Sequence, residues 1–259
     1  MPPKTDLLKG VENLDTLTRL IDQAEQALKT WEVVQTDFLS PPEWMEAQAL
    51  LSKLTELHFV AGGGYPQAER QRIAIARIDL PLDPNQLELS LLNISGNFLF
   101  DPASHRDFLG AILGTGLVRA KIGDILVIGE RGAQAIVLPE VSNFLETALT
   151  QVRTVTVKTT PLEFDELRVH APRTKEMTTV EASMRLDAIA SAGFGMSRSK
   201  MSALITAGDV RVNWKSITQP SYALQSGDLV AVRGKGRLTI GEVSVTKKDR
   251  YRMSLTRYY

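Results

Sequence analysis

The feature that most constrains this chain is the run from Arg185 to Ile240. It reads RLDAIASAGFGMSRSKMSALITAGDVRVNW and then, after a short gap, PSYALQSGDLVAVRGKGRLTI. Two helices, a strand and a basic-tipped hairpin are fitted into fewer than sixty residues. Ser197 precedes apolar positions at Met201, Leu204, Ile205 and Ala207, so it reads as a helix N-cap. Its partner three positions on is Lys200, not Glu, so no capping box is expected. The first turn instead presents Arg198, Ser199 and Lys200 beside unpaired backbone N–H groups, a place that favours an anion. Gly208 stands where a helix end needs a left-handed residue. Asp209 to Trp214 alternates as a strand, with Val210 and Val212 inward and Arg211 outward. Residues 229–233 repeat the strand pattern, and Gly234-Lys235-Gly236-Arg237 makes a flexible basic turn.

Net charge over the chain is zero, which alone would argue against a nucleic-acid binder. The two ends differ, however. Residues 181–259 carry 13 Lys and Arg against 6 Asp and Glu, and residues 1–180 carry 17 against 24. A basic end on an acidic body is the pattern of local phosphate binding. A small packed domain with ordinary solvated charges is the plainer account, but the grouping of cations at a helix start and a turn favours RNA. The residues expected to contact it are Arg185, Ser197, Arg198, Ser199, Lys200, Arg211, Lys215, Arg233, Lys235 and Arg237. Arg185 has two readings, joining the phosphate contacts or pairing with Asp187. The last segment, KKDRYRMSLTRYY, mixes cations with tyrosines and reads either as a continuation of that surface or as a frayed terminus.

The chain has no cysteine, which removes disulfides, thiolate nucleophiles and cysteine-bound metals. His58, His105 and His170 lack metal-ligand spacing, so neither a metal nor a cofactor is expected. No apolar run approaches the roughly 20 residues of a membrane helix, and the start, MPPKTDLLKG, has no signal-peptide core. A cytoplasmic protein is expected, or a stromal one if the chain is organellar.

Along the chain, residues 11–29 form an amphipathic pattern and Pro41-Pro42 opens a second helix. Residues 1–60 are acidic and are expected to be a helical segment or, on a sharper reading, a protein-docking face. The glycines of Ala61-Gly62-Gly63-Gly64 lack the Lys and Ser/Thr of a phosphate loop, so a turn into a short helix at 67–72 is expected. Strands are expected at 73–78, 87–94, 124–128, 134–138 and 152–159, with helices at 104–113 and 140–149. From residue 87 this is the βαββαβ order of ferredoxin-like folds, shared by RNA-recognition motifs. Those motifs stack bases on aromatics of the central strands. LELSLLNI and GDILVI carry none, so the usual RNA face is missing. Three short motifs mislead. His105-Arg106-Asp107 imitates a kinase loop but is better read as a capping box from Ser104 to Asp107. Gly114-Thr115-Gly116 follows a helix and reads as its C-cap. Lys200-Met201-Ser202 falls inside a helix and has no partner motif.

Arg185-Leu186-Asp187, Ser197-Arg198, Leu204-Ile205, Gly208, Val210, Val212-Asn213 and Gly227-Asp228 occur in the order found in the S4 RNA-binding domain, which this region closely resembles. With GGGYPQAERQR and ISGNFLFDPASHRDFLGAILGTGLVRAKIGDILV, residues 60–245 resemble the YlmH-type proteins. VNW at 212–214, where most members have VNG, is similar to the cyanobacterial and plastid branch labelled photosystem II S4 domain proteins. Trp214 in place of a turn glycine implies a different turn geometry.

The expected fold is α+β. It comprises a helical N-terminal segment (1–60), a ferredoxin-like, RRM-like domain (61–160), a linker (161–180), an S4-type domain (181–245) and a basic aromatic tail (246–259). The resemblance implies a non-enzymatic factor bound to ribosomal RNA on the large subunit, including subunits that still hold peptidyl-tRNA. It implies a role in translation or ribosome quality control. The alternatives are an RNA-modifying enzyme of pseudouridine synthase or methyltransferase type, and a photosystem II assembly factor docking protein through the acidic half.

Overall fold

The computed structural model describes residues 1–169 and 173–258 and separates into two units between residues 170 and 171. His170 therefore lies outside the described residues.

The first unit opens with α1 (Lys4–Leu7) and α2 (Leu14–Thr30). Leu17, Leu20, Ile21, Ala24 and Ala27 fall on one face of α2 and are buried. After β1 (Val34–Gln35) comes α3 (Pro41–Leu51), whose N-cap Ser40 and Glu43 form a capping box. Strands β2 (Leu57–Gly62) and β3 (Arg72–Arg77) complete a three-stranded sheet in the order β1-β3-β2. Ile73 and Ile75 of β3 share a core with α2 and α3. The N-terminal segment is thus helices packed on a sheet and extends to Arg77, past the helical stretch expected for residues 1–60. The short helix expected at 67–72 is absent, because that segment forms turns and then enters β3. The glycine run has a packing cause: a Cβ on Gly63 would lie 2.2 Å from the Arg70 carbonyl oxygen. Gly64 has φ +89°, and its Cβ would meet Phe164 at 2.6 Å.

Next come β4 (Ser90–Ser95), α4 (His105–Gly114), β5 (Ile122–Val127), β6 (Gly132–Val137) and α5 (Pro139–Ala148). A two-residue-strand hairpin, β7 (Gln151–Val152) and β8 (Val155–Thr156), precedes β9 (Lys158–Leu162). The antiparallel order β5-β6-β4-β9 is the expected ferredoxin-like topology. One strand expected at 152–159 is in fact this hairpin plus β9. Ser104 and Asp107 make the capping box that opens α4, with the Ser104 N–H and Oγ donating to Asp107 Oδ2 at 2.8 and 2.7 Å.

One face of this sheet packs on α4 and α5 through Leu92, Ile94, Phe108, Ile112 and Leu145. The other face, which RNA-recognition motifs leave open to bases, is covered. Leu91, Ile136 and Leu138 form a second cluster with Phe38, flanked by Tyr65, Leu162, Phe164 and Leu167. Gln134, in the middle of β6 and 2% exposed, pins the cover in place. Its Nε2 donates to the Glu166 carbonyl (2.9 Å) and its Oε1 accepts from the Arg168 N–H (2.7 Å). The first half of the expected linker, residues 161–180, is therefore part of this layer.

The second unit holds β10 (Thr174–Glu181), α6 (Leu186–Phe194), α7 (Arg198–Thr206), β11 (Val210–Val212) and β12 (Lys215–Ser216). It ends with β13 (Leu229–Val232), β14 (Gly236–Val245) and β15 (Tyr251–Tyr258). The six strands run β10-β15-β14-β13-β11-β12, with antiparallel neighbours. The segment expected as a tail is therefore an internal strand, since β15 pairs with both β10 and β14. Its alternation explains this: Met253 and Leu255 point into the core while Arg252 and Ser254 are exposed. Leu186, Ile189, Met201, Ile205, Val210, Val230 and Leu238 join them in that core.

Candidate RNA-binding surface

The α6–α7 region is organised around one carboxylate. Asp187, in the first turn of α6, is 3% exposed. Its neighbours are held by backbone bonds to the 220–224 loop: Leu186 N–H to Tyr222 O (2.8 Å) and Asp187 N–H to Pro220 O (3.0 Å). Arg185, the residue capping α6, donates from Nε and Nη2 to the two Asp187 oxygens at 3.0 and 2.9 Å. Arg198, the first residue of α7, does the same from the other side, with both bonds at 3.1 Å. Burial opposes the charged carboxylate, yet these hydrogen bonds outweigh it and hold the Asp187 pKa below its ordinary value. Each arginine uses one edge of its guanidinium and keeps Nη1 available to another acceptor. The arginine side chains are 40% and 56% exposed. Two cations on one anion leave a net positive group with donors set at fixed angles, a form suited to phosphate.

The helix start adds to it. Ser197 caps α7, its Oγ accepting from the Lys200 N–H at 3.3 Å and lying 3.3 Å from Ser199 Oγ. Ser199 and Lys200 are exposed. Arg185, Ser197, Arg198, Ser199 and Lys200 thus gather on the helical side, as expected. Of the two readings of Arg185, the structure has the pairing with Asp187, and the side chain stays 40% exposed.

The other expected residues lie elsewhere on the unit. Val210, Val212, Val230, Val232 and Leu238 fill the core, so Arg211, Ala231 and Arg237 point to the opposite face of the sheet. They are also aligned in register across β11, β13 and β14. Tyr258 of β15 continues the row, paired with Arg237, whose guanidinium lies 5.9 Å from the phenol ring centre. Arg233 and Lys235 sit at the exposed β13–β14 turn, where Arg233 Nη1 lies 3.7 Å from Asp209 Oδ1. Lys215 is exposed on the edge strand β12. The structure therefore divides the ten residues between a helical cluster and a sheet-face and turn group.

Asp187 is the organising residue that sequence reasoning missed for Arg198. The Arg185 pairing is local, but Arg198 lies eleven residues away across a helix and a turn. Asn213 and Asp228 also prove structural. Asn213 Nδ2 donates to Asp228 Oδ1 (2.8 Å), and Asn213 Oδ1 accepts from the Leu229 N–H (2.9 Å). Asn213 and Trp214 have φ of +47° and +67°, so both central residues of the β11–β12 turn are left-handed. This is what a two-residue type I′ hairpin requires. The different geometry expected from Trp214 is absent: the indole occupies the position a glycine would.

Comparisons with known proteins agree with this architecture. Residues 12–80 match the family described as "YlmH, N-terminal", residues 83–166 the "Putative RNA-binding domain in YlmH", and residues 184–230 the "S4 domain". A protein of Bacillus subtilis (strain 168) named "Ribosome-associated protein quality control protein P2" is 33% identical over 244 residues. That match spans 90% of this chain and 93% of the relative. Small ribosomal subunit protein uS4 of Thermosipho africanus is 35% identical over 65 residues, covering 25% of this chain and 31% of that protein. The solved structure of the cell division protein ylmH from Streptococcus pneumoniae shares the fold, with a TM-score of 0.53 at 22% identity. It covers 61% of this chain and 94% of its own. With its N-terminal, RNA-binding and S4 regions matched in order and a relative aligned over nearly its whole length, the chain belongs to the YlmH family.

Proposed function

We propose that this protein is a non-enzymatic RNA-binding factor that engages ribosomal RNA on the large ribosomal subunit, in translation or ribosome-associated quality control. The observation that carries the reading is the Arg185–Asp187–Arg198 group beside the exposed start of α7. It supplies oriented charge to a phosphate. The name of the Bacillus subtilis relative supports the ribosome as the setting. Transfer RNA held on the subunit is a second RNA partner in this reading, and the acidic first unit offers a protein-docking face. Among the described residues no helix is long and apolar enough to cross a membrane. The protein works in the cytoplasm, or in the stroma of a plastid.

Co-sedimentation with ribosomes on sucrose gradients at low and moderate salt tests this, comparing the intact protein with Arg198→Ala/Lys200→Ala. Migration with the large subunit, lost in the variant, is the expected result. Absence from all ribosomal fractions would overturn the target, and a mass change in RNA incubated with the protein would overturn the non-enzymatic reading.

A further inference from the structure

The acidic first unit contains a cleft with the opposite charge. It has a volume of about 600 Å³, within the range of small-molecule sites. Its lining carries Arg19, Arg70, Arg119 and Lys121 against two carboxylates, Asp37 and Glu43. Both carboxylates are already engaged. Asp37 accepts from Lys121 Nζ at 2.8 Å, and that ammonium also meets Glu140 at 2.6 Å. Glu43 accepts from the Ser40 N–H and Oγ and from Thr16 Oγ1. Asp124, the nearby carboxylate, accepts from Tyr65 Oη and from the N–H groups of Glu69 and Arg70.

What remains is a converging pair of arginines. Arg70 Nε and Arg119 Nη1 both donate to the Ile122 carbonyl, at 2.9 and 2.5 Å. Arg70 Nη2 reaches the Phe38 carbonyl at 3.0 Å, and Arg119 Nη1 also reaches that of Gly123 at 3.1 Å. Their direct partners are neutral carbonyls, so two like charges meet in a half-buried cleft, offset through space by Glu43 and Asp124, both already engaged by other donors. Burial, and then the neighbouring Arg70, pushes the Arg119 guanidinium down to about 10. Such a pair is stabilised by an anion entering between it and solvent. Among the described residues, Arg119 Nε and Nη2 and Arg70 Nη1 have no protein acceptor, and Arg19 stands exposed at the rim. Leu20, Phe38 and Leu39 give the cleft an apolar wall, which a bare phosphate would leave uncovered.

We infer that this cleft binds a phosphate-bearing ligand of mononucleotide size, with Arg119, Arg70 and Arg19 holding the phosphate. A free nucleotide and the phosphorylated end of an RNA share that chemistry. The site lies wholly in the first unit, so its failure would leave the ribosomal reading of the second unit untouched.

The test is titration calorimetry of the intact protein with AMP, adenosine, inorganic phosphate, and a trinucleotide with and without its 5′-phosphate. Saturable binding of AMP, with none for adenosine, is expected. Arg19→Glu, on the exposed rim, should weaken AMP several-fold without changing the melting temperature of the free protein. Arg119→Gln should abolish it, with circular dichroism as the check on folding. A phosphorylated trinucleotide that binds at least as tightly as AMP would identify an RNA end, and AMP alone a free nucleotide. Equal binding of AMP and adenosine, no binding of any phosphate probe, or unchanged affinity in Arg19→Glu would overturn the site.

Discussion

Arg198 donates two hydrogen bonds of 3.1 Å to the two carboxylate oxygens of Asp187, a residue eleven positions earlier that is almost wholly buried. A guanidinium held on one edge has lost most of its rotamer freedom before any ligand arrives. Ordering a long side chain on binding costs about 0.5–1.5 kcal/mol, so a pre-set arginine binds phosphate with less loss. On the proposed function the buried acid at the centre acts as a positioning residue for the RNA surface, although it cannot itself attract RNA.

Asp187→Asn tests that role. The amide keeps the size but turns an NH2 toward two guanidiniums. Because both arginines are substantially exposed, a stability loss of about 1–3 kcal/mol is expected in urea unfolding, below that of a fully buried ion pair. RNA affinity should fall as well, although no cation has been removed. A variant with weakened stability and unchanged RNA affinity would reduce Asp187 to a purely structural residue.

The same carboxylate sets a pH dependence. Its pKa in the folded protein lies below the ordinary 3.8, so its contribution is fully present above about pH 4. That contribution disappears as pH falls through the lower folded value, where the native carboxylate is protonated. The stability gap between the wild type and Asp187→Asn should therefore be constant from pH 5 to 8 and narrow below about pH 4. A gap that already closes near neutral pH would show that another group carries it.

Salt dependence separates charge from geometry at α7. Each lost phosphate contact should flatten the slope of log affinity against log salt by about 0.7–0.9, so Arg198→Ala/Lys200→Ala should flatten it by about 1.4–1.8. Arg198→Lys keeps the charge but loses the two-bond geometry, and should weaken binding with little change in slope. An unchanged slope in the double variant would remove the start of α7 from the interface.

The β11–β12 turn makes the opposite prediction for stability. Trp214 has φ +67°, which disfavours a residue with a side chain by about 1–2 kcal/mol. Trp214→Gly should therefore raise the denaturant midpoint, with a gain in unfolding free energy of up to about 1 kcal/mol once the lost contacts of the half-buried indole are counted. A lower midpoint would mean that those contacts outweigh the strain.

These cases also show what could be read from the residues alone. Ser197 as a cap, the capping box at Ser104 and the inward Val210 and Val212 depend on neighbours in sequence, and the structure has them as expected. So does the βαββαβ order, because each element carries its own periodicity. β10 was not legible: TKEMTTVE turns little apolar side chain inward beyond Met177, and its status as a strand comes from pairing with β15 some seventy residues later. The same pairing made a strand of the apparent tail. At the site, the cations were legible one by one, but their division between the helical side and the sheet face depends on register. The grip of Asp187 on Arg198 depends on how α6 and α7 pack.

The covered sheet of the middle domain supplies a last test. GDILVI, expected as a central strand, is the edge strand β5, and GAQAIV of β6 stands in the centre beside β4. Neither central strand carries an aromatic, and Phe38, Tyr65 and Phe164 already occupy the face where bases would stack. Gln134 fixes the cover through two backbone groups, so Gln134→Leu would leave a carbonyl and an N–H without their partner, at a cost of about 1–3 kcal/mol. If that face only packs, urea unfolding should show the loss while affinity for RNA stays the same. If the cover instead masks an RNA surface, loosening it should raise affinity in a filter-binding assay. The substitution that weakens the fold would then strengthen the complex, because the energy holding down the 162–167 segment would no longer oppose binding. The absence of stacking residues on the strands beneath the cover favours the first outcome: uncovering this sheet would expose Leu91 and Ile136, which offer a base neither a ring nor a hydrogen bond.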